Sequence, residues 1–288
     1  MTTPGARFRR ALAERPIMIP GAFNALTAKL AERLGFAAVY LSGGALSAGW
    51  AGLPDIGLLS QTEFAEQAAV LARATNLPVL CDADTGFGEA LHVARTVRLF
   101  EEAGAAGLHL EDQVLPKRCG HLSGKAVIET GAMVAKLRAA VSARSDPDFV
   151  IVARTDARSV AGFAAAVERA RAYRAAGADM IFPEALESAD EFARFAAAVD
   201  APLLANMTEF GRGPLLDFAT LAGSGYRAVL YPLTAFRAAM KAAEETLIAL
   251  RDLGTQRDQL ERMQTRAELY DVLGYSDWEA RDRAYFGG

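Results

Sequence analysis

Short, mostly apolar runs alternate along this chain with longer segments whose apolar residues recur at helical spacing. Eight runs read as strands: Pro16 to Pro20, Ala37 to Ser42, Pro78 to Asp82, Gly107 to Glu111, Phe149 to Thr155, Asp179 to Pro183, Pro202 to Asn206 and Ala228 to Tyr231. Continuous apolar character suits strands of a parallel sheet, which are buried on both faces. Between them, Glu63 to Thr75, Leu91 to Ala103 and Gly162 to Ala176 place apolar residues on one helical face and charges on the other. Four times a helical segment ends at a glycine and a strand follows, at Gly35, Gly104, Gly177 and Gly225. Glycine just past a helix end accepts the left-handed conformation that closes the last turn. Repeated βα units with short connections require parallel strands and right-handed crossovers. Eight such units predict an α/β fold, a (β/α)8 TIM-type barrel forming one domain over 1–288, with a C-terminal helical extension from about 235. An open doubly wound sheet would carry a glycine-rich phosphate turn after its first strand, where this chain has Pro20-Gly21-Ala22-Phe23-Asn24.

Composition narrows the functional classes. The chain has 288 residues, 52% of them hydrophobic, so it can bury a sizeable core. Net charge is −4 with acids and bases interspersed, which leaves no footprint for nucleic acid or an anionic membrane. Arg7, Arg9 and Arg10 share their segment with Glu14 and read as a solvated leading helix, not a targeting leader. No stretch of about 18 uncharged apolar residues is present to span a bilayer. Two cysteines, Cys81 and Cys119, are too few for a secreted disulfide scaffold, which points to a reducing, cytoplasmic compartment.

In a barrel of this type, chemistry sits at the C-terminal ends of the strands. Here those ends carry polar groups strand after strand: Ser42-Gly43-Gly44, Asp82-Ala83-Asp84, His109 with Glu111-Asp112-Gln113, Arg154-Thr155-Asp156, Glu184, and Asn206-Met207-Thr208-Glu209. Asp82 and Asp84 flank Ala83, so in an extended strand both would point to one face. Two such carboxylates repel unless a cation or its bound waters lie between them. With Glu111 on the next strand, a Mg²⁺ site is expected, since Mg²⁺ takes one or two carboxylates and keeps several waters. Turn chemistry alone could also produce Asp-x-Asp-x-Gly. A Zn²⁺ site is not expected, because no His or Cys pair stands at ligand spacing. After strand four, Lys117, Arg118 and His121 surround Cys119 within five residues. That basic setting favours thiolate and attracts carboxylates. Cys81, in an apolar strand, reads as core, and His92 as a helix-surface residue.

These runs, together with Lys117-Arg118-Cys119-Gly120-His121, Phe182-Pro183-Glu184-Ala185, Tyr231 to Arg237 and Met263-Gln264-Thr265-Arg266, resemble the isocitrate lyase and phosphoenolpyruvate mutase superfamily over nearly the whole chain. The Cys-Gly-His loop and compact length look most like its 2-methylisocitrate lyase branch. Ala45 departs from the third glycine frequent in close relatives, and Leu122-Ser123-Gly124 has an isocitrate lyase flavour. The resemblance implies Mg²⁺-dependent (Mn²⁺ possible) cleavage of 2-methylisocitrate to pyruvate and succinate, the methylcitrate-cycle step of propionate catabolism. Isocitrate or 2,3-dimethylmalate lyase chemistry is the nearest alternative; oxaloacetate hydrolysis or phosphonomutase chemistry is more remote. It also implies Asp82, Asp84 and Glu111 at the metal, and Cys119 as the acid, with Lys117 and His121 beside it. Tyr40 or a metal-linked carboxylate would be the base. Ser42, Gly43, Gly44, Asp55, Gly120, Arg154, Glu184, Asn206, Met207, Thr208, Arg237 and Arg266 would contact substrate. A homotetramer that exchanges C-terminal helices is expected by the same analogy.

Overall fold

The computed structural model describes residues 2–118, 120 and 124–287. Among these, eight parallel strands occur: β1 (Ile17–Pro20), β2 (Val39–Leu41), β3 (Val79–Asp82), β4 (Gly107–Glu111), β5 (Val150–Thr155), β6 (Met180–Pro183), β7 (Leu204–Asn206) and β8 (Ala228–Tyr231). They hydrogen-bond in the orders β2-β3-β4-β5-β6 and β1-β8-β7. Two parallel bridges, Gly21 to Tyr40 and Ile181 to Leu203, join these arcs into a closed barrel. Each predicted strand is present, trimmed by at most two residues at an end.

Helix α1 (Pro4–Glu14) precedes the barrel, capped by Thr3, whose hydroxyl accepts from the Ala6 N–H. Around the barrel run α2 (Ala25–Arg33), α3 (Gly43–Gly49), α4 (Gln61–Ala74), α5 (Ala90–Glu102), α6 (Thr130–Ala143), α7 (Ala157–Ala161), α8 (Phe163–Ala175), α9 (Ala189–Ala198) and α10 (Phe218–Gly223). After β8 come α11 (Thr234–Leu253), a 3-10 turn (Arg257–Arg262), α12 (Arg266–Leu273) and α13 (Tyr275–Phe286). The four glycines expected to end helices all take positive φ, between 80° and 104°.

Strand side chains alternate between two cores, which explains their unbroken apolar character. Tyr40, Leu80, Val152, Phe182, Leu204 and Leu230 fill the barrel interior, where Phe8 and Leu12 of α1 join them from below. Val39, Leu41, Cys81, Ile151, Ala153, Ile181 and Val229 face the helices instead. Cys81 is therefore a core residue, wholly buried, and His92 lies exposed on α5.

None of the residues of α11, α12 or α13 is buried. Leu247, Leu253, Leu260 and Trp278 expose between 57% and 65% of their surface. No helix among the described residues is long and apolar enough to cross a membrane.

Candidate active site at the C-terminal rim of the barrel

The alternation that fills the barrel interior also selects what reaches its mouth. One step beyond the inward-facing Leu80, Val152, Phe182 and Leu204 lie Asp82, Arg154, Glu184 and Asn206, pointing the same way. Together with Tyr40, Ser42, Gly44, Asp55, Lys117, Arg118, Gly120 and Thr208, they line one narrow cavity.

At its floor, Tyr40 Oη lies 2.7 Å from His109 Nε2 and 3.2 Å from Asp82 Oδ2. The rings of Tyr40 and His109 stack with centroids 5.8 Å apart. Burial outweighs the attraction of Asp82 and brings His109 down to about 4, so its ring is neutral near pH 7. His109 Nδ1 is buried without a partner. The arrangement that leaves no buried donor unused has His109 Nε2–H donating to Tyr40 and Tyr40 donating to Asp82. Burial first, then Asp82, pushes the Tyr40 phenol well above its ordinary value. In this arrangement the Tyr40 hydroxyl donates to Asp82.

Asp82 and Asp84 do not share a strand face. β3 ends at Asp82, and Asp84 turns into the left-handed region at φ 45°. Short polar side chains tolerate that conformation better than most. The Asp84 N–H donates back to Asp82 Oδ1 at 3.0 Å, and Asp82 Oδ2 also accepts from the Gly43 N–H at 3.0 Å. A Cβ at position 43 would stand 2.7 Å from that oxygen, so only glycine allows this approach.

Lys117 Nζ pairs with Asp84 at 2.7 Å and makes a very short contact with Asp55. Burial opposes its charge, yet Asp84, Glu111, Asp55 and Asp82 hold it well above the lysine range. Arg154 reaches Glu111 at 3.2 Å, Asp156 at 2.9 Å and Glu184 at 3.6 Å. Burial, partly offset by Lys117 and reinforced by Asp82 and Asp55, raises Asp84 to about 7. Burial likewise lifts Glu111 far above the carboxylate range, despite Arg154. Glu111 Oε1 is buried with no partner. Carboxyls that resist ionisation beside an unmatched oxygen have room for more positive charge. Yet among the described residues no three His, Cys, Asp or Glu side chains converge tightly enough to enclose a metal ion. The expected three-carboxylate set is therefore not a closed cage. It fits a hard divalent ion bound through few protein oxygens and otherwise by water.

The phosphoenolpyruvate phosphomutase family model matches residues 8–251. The chain belongs to that family. Similar curated proteins include the 2-methylisocitrate lyase of Aeropyrum pernix, 52% identical over 97% of this chain and 90% of that protein. That of Escherichia coli is 49% identical over 97% of this chain and 95% of its own. Among solved structures, 2,3-dimethylmalate lyase superposes with a TM-score of 0.92 at 35% identity, over 100% of this chain and 97% of that one. Phosphonopyruvate hydrolase, solved with oxalate and Mg²⁺, gives 0.89 at 32%, over 99% of each chain.

Within this phosphomutase-family barrel, four expected substrate contacts do not line the cavity: Gly43, whose N–H is taken by Asp82, and Met207, Arg237 and Arg266. Met207 is 4% exposed, packs in the helix-facing core and accepts from the Leu216 N–H through its sulfur. It follows Asn206, so strand alternation turns it outward. Arg237 starts α11 outside the cavity, paired with Glu209 at 3.6 Å and over the Phe210 ring. Arg266 is exposed at the start of α12, in the extension that leaves the barrel. Cys119 and His121 lie outside the described residues. The cavity also has an apolar wall that polar motifs did not flag: Phe182, Leu230, Pro232 and Leu233. Inward parity along β6 and β8 was the available signal for the first two. A larger groove of about 760 Å³ opens at the opposite end of the barrel, but its Arg9 and Arg227 are already engaged with Asp179 and the Leu12 carbonyl.

Proposed function

We propose that this chain is a Mg²⁺-dependent carbon–carbon lyase that cleaves 2-methylisocitrate into pyruvate and succinate. The observation that carries the reading is about 50% identity to curated 2-methylisocitrate lyases over nearly the full chain. The cavity supports it. Its cationic groups, Lys117, Arg118 and Arg154, suit a polycarboxylate. Its apolar wall suits a branched carbon skeleton.

In this reading Asp82, Asp84 and Glu111 hold Mg²⁺, or Mn²⁺, directly or through water. An ion bound there would supply Lewis acidity to lower the pKa of the substrate hydroxyl. Arg154, Asn206 and Thr208 anchor carboxylates, while Ser42 and Gly44 receive the half that becomes pyruvate. Glu184 holds the Asn206 amide at 3.2 Å, which orients that contact. Lys117 keeps positive charge beside Asp84 and Asp55 as negative charge develops. The hydroxyl proton passes to a carboxylate, since Tyr40 is itself held as a donor. The carbon–carbon bond then breaks, pyruvate forms, and the electron pair stays on the carbon next to a succinate carboxylate. Cys119 protonates that carbon, with His121 beside it.

Arg237 and Arg266 reach substrate in this proposal only through rearrangement or a second subunit. The exposed apolar faces of α11 to α13 support a homotetramer built by exchange of C-terminal helices. A cytoplasmic role in propionate catabolism follows from the same reading.

Purified protein with Mg²⁺ should be offered 2-methylisocitrate, isocitrate and 2,3-dimethylmalate separately. Pyruvate plus succinate formed fastest from the first, and abolished by EDTA, is the expected result. Faster cleavage of another substrate keeps the lyase chemistry and overturns the substrate; no cleavage of any overturns both.

A further inference from the structure

Behind the cavity lies a buried ionic chain of which the proposed reaction uses only Arg154. Asp156 follows β5, and its side chain is wholly buried. Its Oδ2 accepts from Arg154 Nε at 2.9 Å; its Oδ1 accepts from Arg154 Nη2 at 3.2 Å and from Lys125 Nζ at 2.6 Å. The Lys125 side chain is 2% exposed and also donates to the Gly120 carbonyl. Lys125 does not line the cavity. Gly120 does, and it leaves no room for a side chain: a Cβ there would stand 2.5 Å from Arg154 Nη2 and 2.6 Å from Glu184 Cγ. The other end of the chain is anchored. Asp112 accepts from the Asp156 N–H at 2.9 Å, and also from Thr155 Oγ1 at 2.8 Å, Tyr173 Oη at 2.7 Å and Arg169 at 3.1 Å.

We infer that Lys125 is a positioning residue: by bridging Asp156 and the Gly120 carbonyl, it seats the Gly120 peptide on the Arg154–Glu184 floor of the cavity. A buried ammonium needs acceptors for its protons and a counter-charge, and both are present. Lys125 also gives Asp156 a second cation, so Arg154 is not that carboxylate's sole partner and remains able to meet Glu111 and Glu184. The effect on turnover rests on the lyase reading; the effect on the loop does not.

The test is Lys125→Met in the full chain, read in two ways. With 2-methylisocitrate and Mg²⁺, kcat should fall on the order of 100-fold while KM changes less than about threefold, as expected when reacting groups are misplaced but binding survives. Without substrate, trypsin should cut after Arg118 about tenfold faster, because that cleavage follows the population in which the Gly120 segment is released. Unchanged kcat and unchanged cleavage overturn the inference, as does a rise in KM that accounts for the whole loss. If the parent protein cleaves no substrate, the lyase reading falls and the trypsin rates alone decide the positioning role. Should Lys125→Met fail to fold, Lys125→Gln, whose uncharged amide is one bond shorter and cannot bridge Asp156 and the Gly120 carbonyl together, is read in the same two ways with the same expected changes.

Discussion

Lys117 and Asp84 form a 2.7 Å ion pair in which both side chains are at least 94% buried, joining the loops that follow β4 and β3. Neither residue is in a strand, so the pair depends on both turns being in place. Breaking a buried pair from one side leaves an uncompensated charge, at a cost of about 3–5 kcal/mol. Lys117→Met should therefore lower apo stability by about that amount, seen in the urea midpoint. Asp84, Asp55 and Glu111 then have one cation fewer, so Mg²⁺ should raise the melting temperature more in the variant than in the parent. An equal or smaller Mg²⁺ shift would show that Lys117 and the ion do not share these carboxylates.

Cys119→Ser keeps a similar shape but removes the more acidic thiol. It should preserve melting temperature and the Mg²⁺-induced shift while turnover falls about 10²–10⁴-fold, the range for losing a general acid. Near-parent turnover would remove Cys119 from the acid role.

Tyr40 separates donor from base. If it donates to Asp82, Tyr40→Phe loses two buried hydrogen bonds, one to Asp82 and one from His109, worth about 1 kcal/mol each, and turnover falls about 10- to 30-fold. A loss of about 10²–10⁴-fold would instead restore it as the base. Pre-steady-state pyruvate release distinguishes the two.

Phe8 closes the barrel from below and is completely buried. Phe8→Ala should destabilise the fold by about 3–5 kcal/mol through lost burial and the cavity left behind. Chemical denaturation reads the loss. Michaelis constants should stay near the parent's, because the catalytic rim lies at the opposite end.

Much of this protein is legible in its sequence for two local reasons. A strand buried on both faces must be apolar throughout, so the runs ending at Asp82, Glu111, Thr155 and Pro183 announce themselves. A parallel barrel then collects the ends of those strands at one rim, which brings Tyr40, Asp82, Glu111, Arg154, Glu184 and Asn206 together before any coordinate is known. Residue parity within a strand is equally local, and it would have turned Met207 outward and Phe182 inward.

The rest required tertiary structure. The left-handed turn at Asp84 is set by its hydrogen bond back to Asp82 and by a lysine 33 positions further along the chain. Strand spacing alone had placed both carboxylates on one face. Tyr40 has the composition of a possible base, but only packing sets its hydroxyl between Asp82 and His109. Arg237 and Arg266 belong to helices whose apolar faces the single chain leaves uncovered, so sequence pattern could not say where those arginines point. Helix and strand period follow from nearest neighbours along the chain. Protonation, turn handedness and shared ion pairs follow from groups that meet only when distant segments pack, and only the folded chain decides them.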